Sequence, residues 1–128
     1  MYPEFRSPCP VASALDLFGD KWTLIVLRTI FAGRARYKEL ADIPERIATN
    51  ILADRLERLE RYGLIQKAPY QETPVRYRYF LTRAGADVLP ILQSLGAWSD
   101  RYIPGRWSSP EWFLKGRAEQ FYPSKAAA

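Results

Sequence analysis

Apolar residues change their spacing repeatedly along this chain, and each change marks an element. Val11, Leu15 and Phe18 fall on one face of a short helix, which Pro10 can open without losing a needed N–H and Gly19 ends. Asp20 is placed to cap a second helix from about Lys21 to Ala32, whose Leu24, Ile25, Val26 and Leu27 leave almost no polar face. A helix apolar all round belongs in the middle of a fold. Gly33 stops it, and Tyr37, Leu40 and Ile43 predict a third, short helix that ends at Ile43-Pro44, because the residue before a proline is pushed out of the helical region. Thr49 is placed to cap the next helix, from Asn50 to Tyr62. There Leu52, Leu56 and Leu59 form one stripe, Asn50, Asp54, Arg55, Glu57, Arg58 and Arg61 take the other sides, and Gly63 suits a left-handed cap.

The period then falls to two. Leu64 to Tyr70 and Arg76 to Leu81 read as strands, separated by Gln71-Glu72-Thr73-Pro74-Val75, which is turn-rich and too long for a two-residue hairpin. Tyr77, Tyr79 and Leu81 alternate with Arg76 and Arg78, so the arginines point away from the core. After Thr82, a second candidate cap, Ala84, Val88, Ile91, Leu95, Trp98 and Tyr102 recur at steps of four and three. This seam of period 3.5 predicts one long helix, bent locally at Pro90. Beyond Pro104-Gly105 the chain holds Trp107, Trp112, Phe113, Phe121 and Tyr122, too aromatic for a free linker, so it is expected to pack on something. The closing Ala126-Ala127-Ala128 is expected to fray.

Composition narrows the chemistry. The 128 residues suit one domain, and with 48% hydrophobic and 14% aromatic residues the chain can bury a core. No apolar run approaches a membrane span and no signal-peptide core follows Met1, so a cytoplasmic protein without a membrane partner is expected. Histidine is absent. That removes the commonest general base, the usual zinc ligand and every Ser/His or Cys/His pair, and no metal, cofactor or catalytic residue is expected. The single cysteine, Cys9, excludes an internal disulfide framework.

Charge is unevenly placed. Of the net +5, a surplus of four lies between Arg34 and Arg83, where eleven Lys/Arg meet seven Asp/Glu. That stretch reads helix, turn, helix and ribbon, so the surplus sits where a winged helix-turn-helix meets DNA. In such a motif the second helix enters the major groove and reads bases from its N-terminal residues, here Thr49 and Asn50, with Ala53 and Asp54 next along the exposed face. Thr49 could cap the helix, touch a base, or both. Arg36, Lys38, Arg46, Arg55 and Arg58 could neutralise phosphates, and Arg76 and Arg78 could reach an adjacent minor groove. For Arg58 and Arg61 an intrahelical pair with Asp54 and Glu57, four residues earlier, is an equal alternative.

The combined motifs resemble the HxlR-type bacterial transcriptional regulators, relatives of the MarR-like winged-helix group. Cys9-Pro10, Gly19-Asp20-Lys21-Trp22-Thr23, Leu27-Arg28, Tyr37 and Glu39-Leu40 match the family's N-terminal pattern. Leu52, Arg55-Leu56, Leu59-Glu60, Gly63-Leu64-Ile65, Tyr79, Leu81-Thr82, Gly85, Leu89-Pro90-Ile91 and Trp98 continue it in order, over about residues 8 to 104. Two departures fall on the presumed DNA face: Arg46-Ile47-Ala48 stands where the family commonly has Gly-Ile-Ser, and Arg78 where it often has an acid. The resemblance implies a homodimer joined through terminal helices, with Val88, Ile91, Leu95, Trp98 and Tyr102 as dimerisation residues. It also matches Cys9 to a cysteine that senses oxidants or electrophiles in some members, against the ordinary reading of a lone cysteine as a small buried hydrophobe.

The expected fold is therefore mainly α with a small β-ribbon: a winged helix-turn-helix over residues 1–104 with a long C-terminal dimerisation helix, then an aromatic extension over 105–128. The expected function is a sequence-specific, double-stranded-DNA-binding regulator, a homodimeric repressor on a pseudo-palindromic operator, responsive to a redox, electrophile or small-molecule effector. The alternative is a winged-helix module whose basic ribbon meets an acidic protein. An enzyme ranks third, because Glu39, Asp42, Glu57 and Glu60 read as solvated faces rather than a converging pair.

Overall fold

The computed structural model describes residues 2–124, so the closing alanines lie outside the described residues. Helix α1 spans Pro10–Phe18 and α2 Thr23–Phe31. Between them Asp20 ties down the start of α2, although Trp22 holds the cap position and the helix starts at Thr23 rather than Lys21. Its Oδ2 accepts the backbone N–H of Trp22 (2.9 Å) and of Thr23 (3.1 Å), and its other oxygen accepts the Thr23 hydroxyl. Val26, Leu27, Ile30 and Phe31 bury α2 at the centre of the core. The α1 helix behaves differently: none of its residues is buried, and the face formed by Val11 and Leu15 is open to solvent.

Helices α3 (Tyr37–Ala41) and α4 (Thr49–Arg61) pack beside α2 through Leu40, Leu52, Leu56 and Leu59, all buried. Gly33 and Gly63 close α2 and α4 at φ +84° and +76°, with the N–H of Arg34 and of Leu64 reaching back to the carbonyls of Thr29 and Leu59. Only glycine adopts that backbone without steric cost.

Strands β1 (Ile65–Glu72) and β2 (Val75–Leu81) form an antiparallel ribbon running from Ile65↔Leu81 to Glu72↔Val75. It is longer than the sequence suggests. A bulge between Pro69 and Gln71 absorbs the irregularity, pairing resumes with Gln71↔Arg76, and the connection shrinks to Thr73-Pro74. The Tyr79 N–H also donates to the Ala35 carbonyl at 2.8 Å, adding a short rung that ties the ribbon to the segment before α3.

The long terminal helix expected from Ala84 to Tyr102 is instead two. Helix α5 covers Arg83–Ala86 and α6 covers Leu89–Tyr102, broken at Asp87-Val88. Pro90 lacks the N–H that a continuous helix would bond to Ala86, and its ring would meet that carbonyl, so it sits in the first turn of α6, where neither matters. Thr82 does cap α5, its hydroxyl oxygen accepting the Gly85 N–H at 3.1 Å. The break turns the seam as well: Val88, Leu89 and Leu92 face the core, while Ile91, Leu95, Trp98 and Tyr102 face outward.

Residues after Pro104 fold back rather than trail away. Helix α7 (Glu111–Lys115) and a 3-10 turn (Ala118–Phe121) lie against the body, where Gln93 Nε2 donates to the carbonyls of Phe113 and Gly116, both at 2.8 Å. Phe121 meets Phe31 edge to face at 5.0 Å, and the Tyr122 hydroxyl donates to Asp87 at 2.6 Å. Phe113 and Phe121 of the aromatic tail pack on the core as expected, whereas Trp107 is 79% exposed.

Candidate nucleic-acid interface

Helices α3 and α4 with the turn between them form the helix-turn-helix, and the ribbon stands beside it as the wing. Thr49 is the first residue of α4, not its cap. Ala48 holds the cap position with extended backbone and offers no side-chain bond, and the Thr49 carbonyl accepts the Tyr37 hydroxyl at 3.3 Å. Thr49, Asn50 and Ala53 are exposed on the outer side, opposite the buried Leu52, Leu56 and Leu59. Asn50 is thus placed where a groove-reading side chain is needed, and its amide could pair with adenine.

Arg55 is the main correction. Its side chain is 13% exposed, donates to Asp20 at 2.8 Å and is paired with Asp54. It locks α4 to the start of α2 instead of presenting a cation to phosphate. Burial alone would raise the Asp20 carboxyl; hydrogen bonds from Thr23, Arg55 and the Trp22 N–H, with the Arg55 charge, outweigh it and hold the group at about 2 against the ordinary 3.8. Asp54 is likewise engaged, by Arg55 and by Arg58 at 3.0 Å. The intrahelical alternative for Arg58 is the one observed.

The remaining candidates are unpaired. Arg36, Lys38, Arg46, Arg76 and Arg78 are exposed and make no salt bridge among the described residues. Arg36 lies 4.4 Å from the centre of the Tyr70 ring, a cation–π contact that orients it without neutralising it. Arg76 and Arg78 project from the wing. Together they put uncompensated positive charge at the start of α3, in the turn before α4 and on the wing.

A second surface is apolar. Ile91, Leu95, Trp98 and Tyr102 line the outer face of α6 at 41, 52, 60 and 61% exposure. Val88, expected among them, is buried at 3% because the break before α6 rotates it inward. Cys9, weighed between a buried hydrophobe and a redox sensor, is exposed at the start of α1, which removes the buried reading, and its carbonyl accepts the Ser13 N–H at 2.9 Å.

Residues 17–106 match the model of the HxlR-like helix-turn-helix family. The chain belongs to that family. An uncharacterized HTH-type transcriptional regulator of Mycobacterium tuberculosis is 39% identical to this HxlR-like chain over 97 residues, covering 73% of the chain and 59% of the relative. The chain thus spans about three-fifths of that relative's length. The crystal structure of PA1607, a transcription-factor candidate, superposes with TM-score 0.71 at 32% identity, covering 82% of this chain and 72% of that one. The reduced form of YodB, a transcriptional regulator of Bacillus subtilis, does so with TM-score 0.63 at 31% identity, covering 78% and 100%. YodB is also described in diamide-treated and quinone-bound forms. These relatives are transcriptional regulators by name, not enzymes.

Three features of this HxlR-like chain escape a reading of its sequence. Glu45 is gripped by Arg28 in a two-pronged pair, Nη1 to Oε2 at 2.7 Å and Nη2 to Oε1 at 3.0 Å, across seventeen positions that no local pattern links. Arg46 adopts a left-handed backbone, φ +60°. The signal for it is present, since Arg46 stands where the family commonly has glycine. The exposed α1 face is missed because periodicity reports that a face is apolar, not what covers it.

Proposed function

We propose that this protein is a sequence-specific DNA-binding transcriptional regulator that acts in the cytoplasm as a homodimer. One arrangement supports the reading: five cations without a salt bridge among the described residues, Arg36, Lys38, Arg46, Arg76 and Arg78, lie on α3, the inter-helix turn and the wing of a helix-turn-helix that exposes Thr49, Asn50 and Ala53. Asn50 reads a base edge, the cations hold phosphates, and the wing arginines lie toward the neighbouring minor groove. The outward face of α6 joins two copies, so that paired recognition helices meet half-sites about 34–36 Å apart on a pseudo-palindrome. A monomer binds weakly. The deciding experiment is a gel shift comparing DNA from immediately upstream of the gene with random DNA of equal length. Preference for the upstream duplex supports the reading, and equal affinity points to a module that meets an acidic protein instead.

Regulation through Cys9 belongs to the same reading. The thiol is exposed, and YodB, a related regulator, is described with diamide and with quinone. With one cysteine per chain, oxidation by diamide joins Cys9 to the second subunit's thiol or to a small thiol, and a quinone adds to the thiolate. Loss of DNA affinity on either treatment, abolished in Cys9→Ser, is the expected result; an unchanged response in that variant removes Cys9 from the mechanism.

A further inference from the structure

We infer that the C-terminal extension is a strut that fixes the direction of α6 against the helix-turn-helix body and so sets the half-site spacing a dimer accepts, an inference that rests on the dimeric DNA-binding reading above. The burial of α6 ends early. Its buried residues, Leu89 and Leu92, both lie in the first turn, and from Gln93 to Tyr102 none is buried. At the joint with α5 the helical ladder is interrupted: Pro90 has no N–H to give, and Val88 reaches back three residues, its N–H donating to the Gly85 carbonyl at 3.1 Å. Yet the outer face of α6 is the one proposed to join two copies, so on that reading its direction decides where each recognition helix stands.

The extension, a segment outside the residues matched to the family, supplies what the joint lacks. A row of rings runs from the body to α6: Phe31 of α2 meets Phe121 at 5.0 Å, Phe121 meets Trp112 at 6.2 Å, and Trp112 meets Phe113 at 5.8 Å, all within the range of favourable aromatic pairs. Phe113 then seats on Gly96, so closely that a Cβ there would lie 3.3 Å from the ring. Beside this contact Gln93 Nε2 donates to the carbonyls of Phe113 and Gly116 at the end of α7, groups that a helix terminus leaves unsatisfied. The other end is pinned at the joint itself. The Tyr122 hydroxyl donates to Asp87 at 2.6 Å, and the Arg83 guanidinium lies 4.6 Å from the centre of the same ring. One segment thus bridges body, joint and α6, and close-packed rings resist bending because a packed interior transmits strain instead of yielding to it. Gln93 and Trp112 are its positioning residues.

Gln93→Met removes both bonds, and Trp112→Ala breaks the row of rings at a link that is 39% exposed, so each loosens the strut while circular dichroism confirms that the fold remains. Two readouts test them. A spin label at Glu57→Cys on the exposed side of α4, in a Cys9→Ser background, gives the distance between the two α4 helices of the dimer without DNA. One narrow peak is expected with the strut intact, and about twice its width in either variant. For binding, two base pairs are inserted between the half-sites mapped by footprinting the upstream duplex, which moves them apart by about 7 Å and turns them by about 70°. The wild type should lose at least about tenfold in affinity on insertion and the variants less than about threefold. The inference is overturned if the variants keep the wild-type width, or if they weaken both duplexes equally and so keep the insertion penalty, which marks a role in stability alone. A wild type that prefers the upstream duplex no more than random DNA defeats the DNA-binding reading instead, and the label widths still decide whether the extension holds α6. A label that reports no distance between subunits defeats the dimer.

Discussion

Replacing Arg55 by alanine should unfold the protein more easily without touching its electrostatic grip on DNA. Arg55 and Asp20 are 13% and 25% exposed, and the pair joins residues 35 positions apart. The fall of the Asp20 carboxyl from 3.8 to about 2 corresponds to at most about 2.4 kcal/mol at ~1.36 kcal/mol per pH unit. Thr23 and the Trp22 N–H supply part of that, and the exposed quarter of the carboxylate is screened. Arg55 accounts for roughly half, and removal of its packed stem raises the expected cost of Arg55→Ala to about 1.5–2 kcal/mol. For a chain of this size that lowers the melting midpoint by about 5–10 °C. Circular dichroism at equal protein concentrations is the assay, since the stability of the proposed dimer would depend on concentration. The Asp20 contribution is complete above the unfolded value of 3.8 and disappears as pH falls through about 2, so the gap between wild type and variant should be flat from about pH 5 to 8 and narrow between about pH 4 and 2 to the share of the packed stem. A variant with an unchanged midpoint but a DNA-binding salt slope shallower by about 1 per subunit would refute the reasoning and return Arg55 to the phosphate contacts.

Gly85→Ala should cost about 3 kcal/mol or more, because an added Cβ would lie 2.0 Å from the Leu64 carbonyl oxygen; urea unfolding close to wild type would refute it. Leu95→Glu, on the outer face of α6, should leave the fold intact but halve the mass seen by sedimentation and weaken operator binding at least tenfold; a dimeric variant would move the interface elsewhere. Phe121→Ala, removing the edge-to-face partner of Phe31, should destabilise by about 2–3 kcal/mol, and a change below about 0.5 kcal/mol would mean that the tail packs without contributing.

The legible parts of the fold are those decided within a few residues. The Asp20 tie at the start of α2, the apolar α2, the α4 stripe and the Gly63 terminus each rest on short-range chemistry, and each stands in the structure. The seam from Ala84 to Tyr102 shows where that logic stops. Its spacing of fours and threes continues across the break at Asp87-Val88, so periodicity cannot separate one bent helix from two, and Pro90 suits both a kink and a first turn. The same ambiguity places Val88 with Ile91 and Leu95, although a change of helix axis sends them to opposite sides. The strand ends are obscured in another way: Gln71, Glu72 and Val75 have turn-like neighbours, yet pairing with the opposite strand holds them in the ribbon.

Charge is legible as a total but not as a field. Eleven cations and seven acids between Arg34 and Arg83 locate a surplus of four, yet a formal count treats every arginine alike. The pairs Asp54–Arg58 and Glu57–Arg61 follow from helical spacing and can be read from the chain. Asp20–Arg55 and Arg28–Glu45 cannot, since the core brings together segments that are distant in sequence. Those long-range pairs decide where the potential lies. One removes Arg55 from the α4 surface, and the other removes Glu45 from the turn, leaving Arg46 free beside it. The unpaired charge is therefore shifted away from the middle of α4 toward the turn and the wing. On the proposed DNA-binding reading, that division would make phosphate anchoring a property of the flanks and leave Asn50 and Ala53, which carry no charge, as the surface to discriminate between bases.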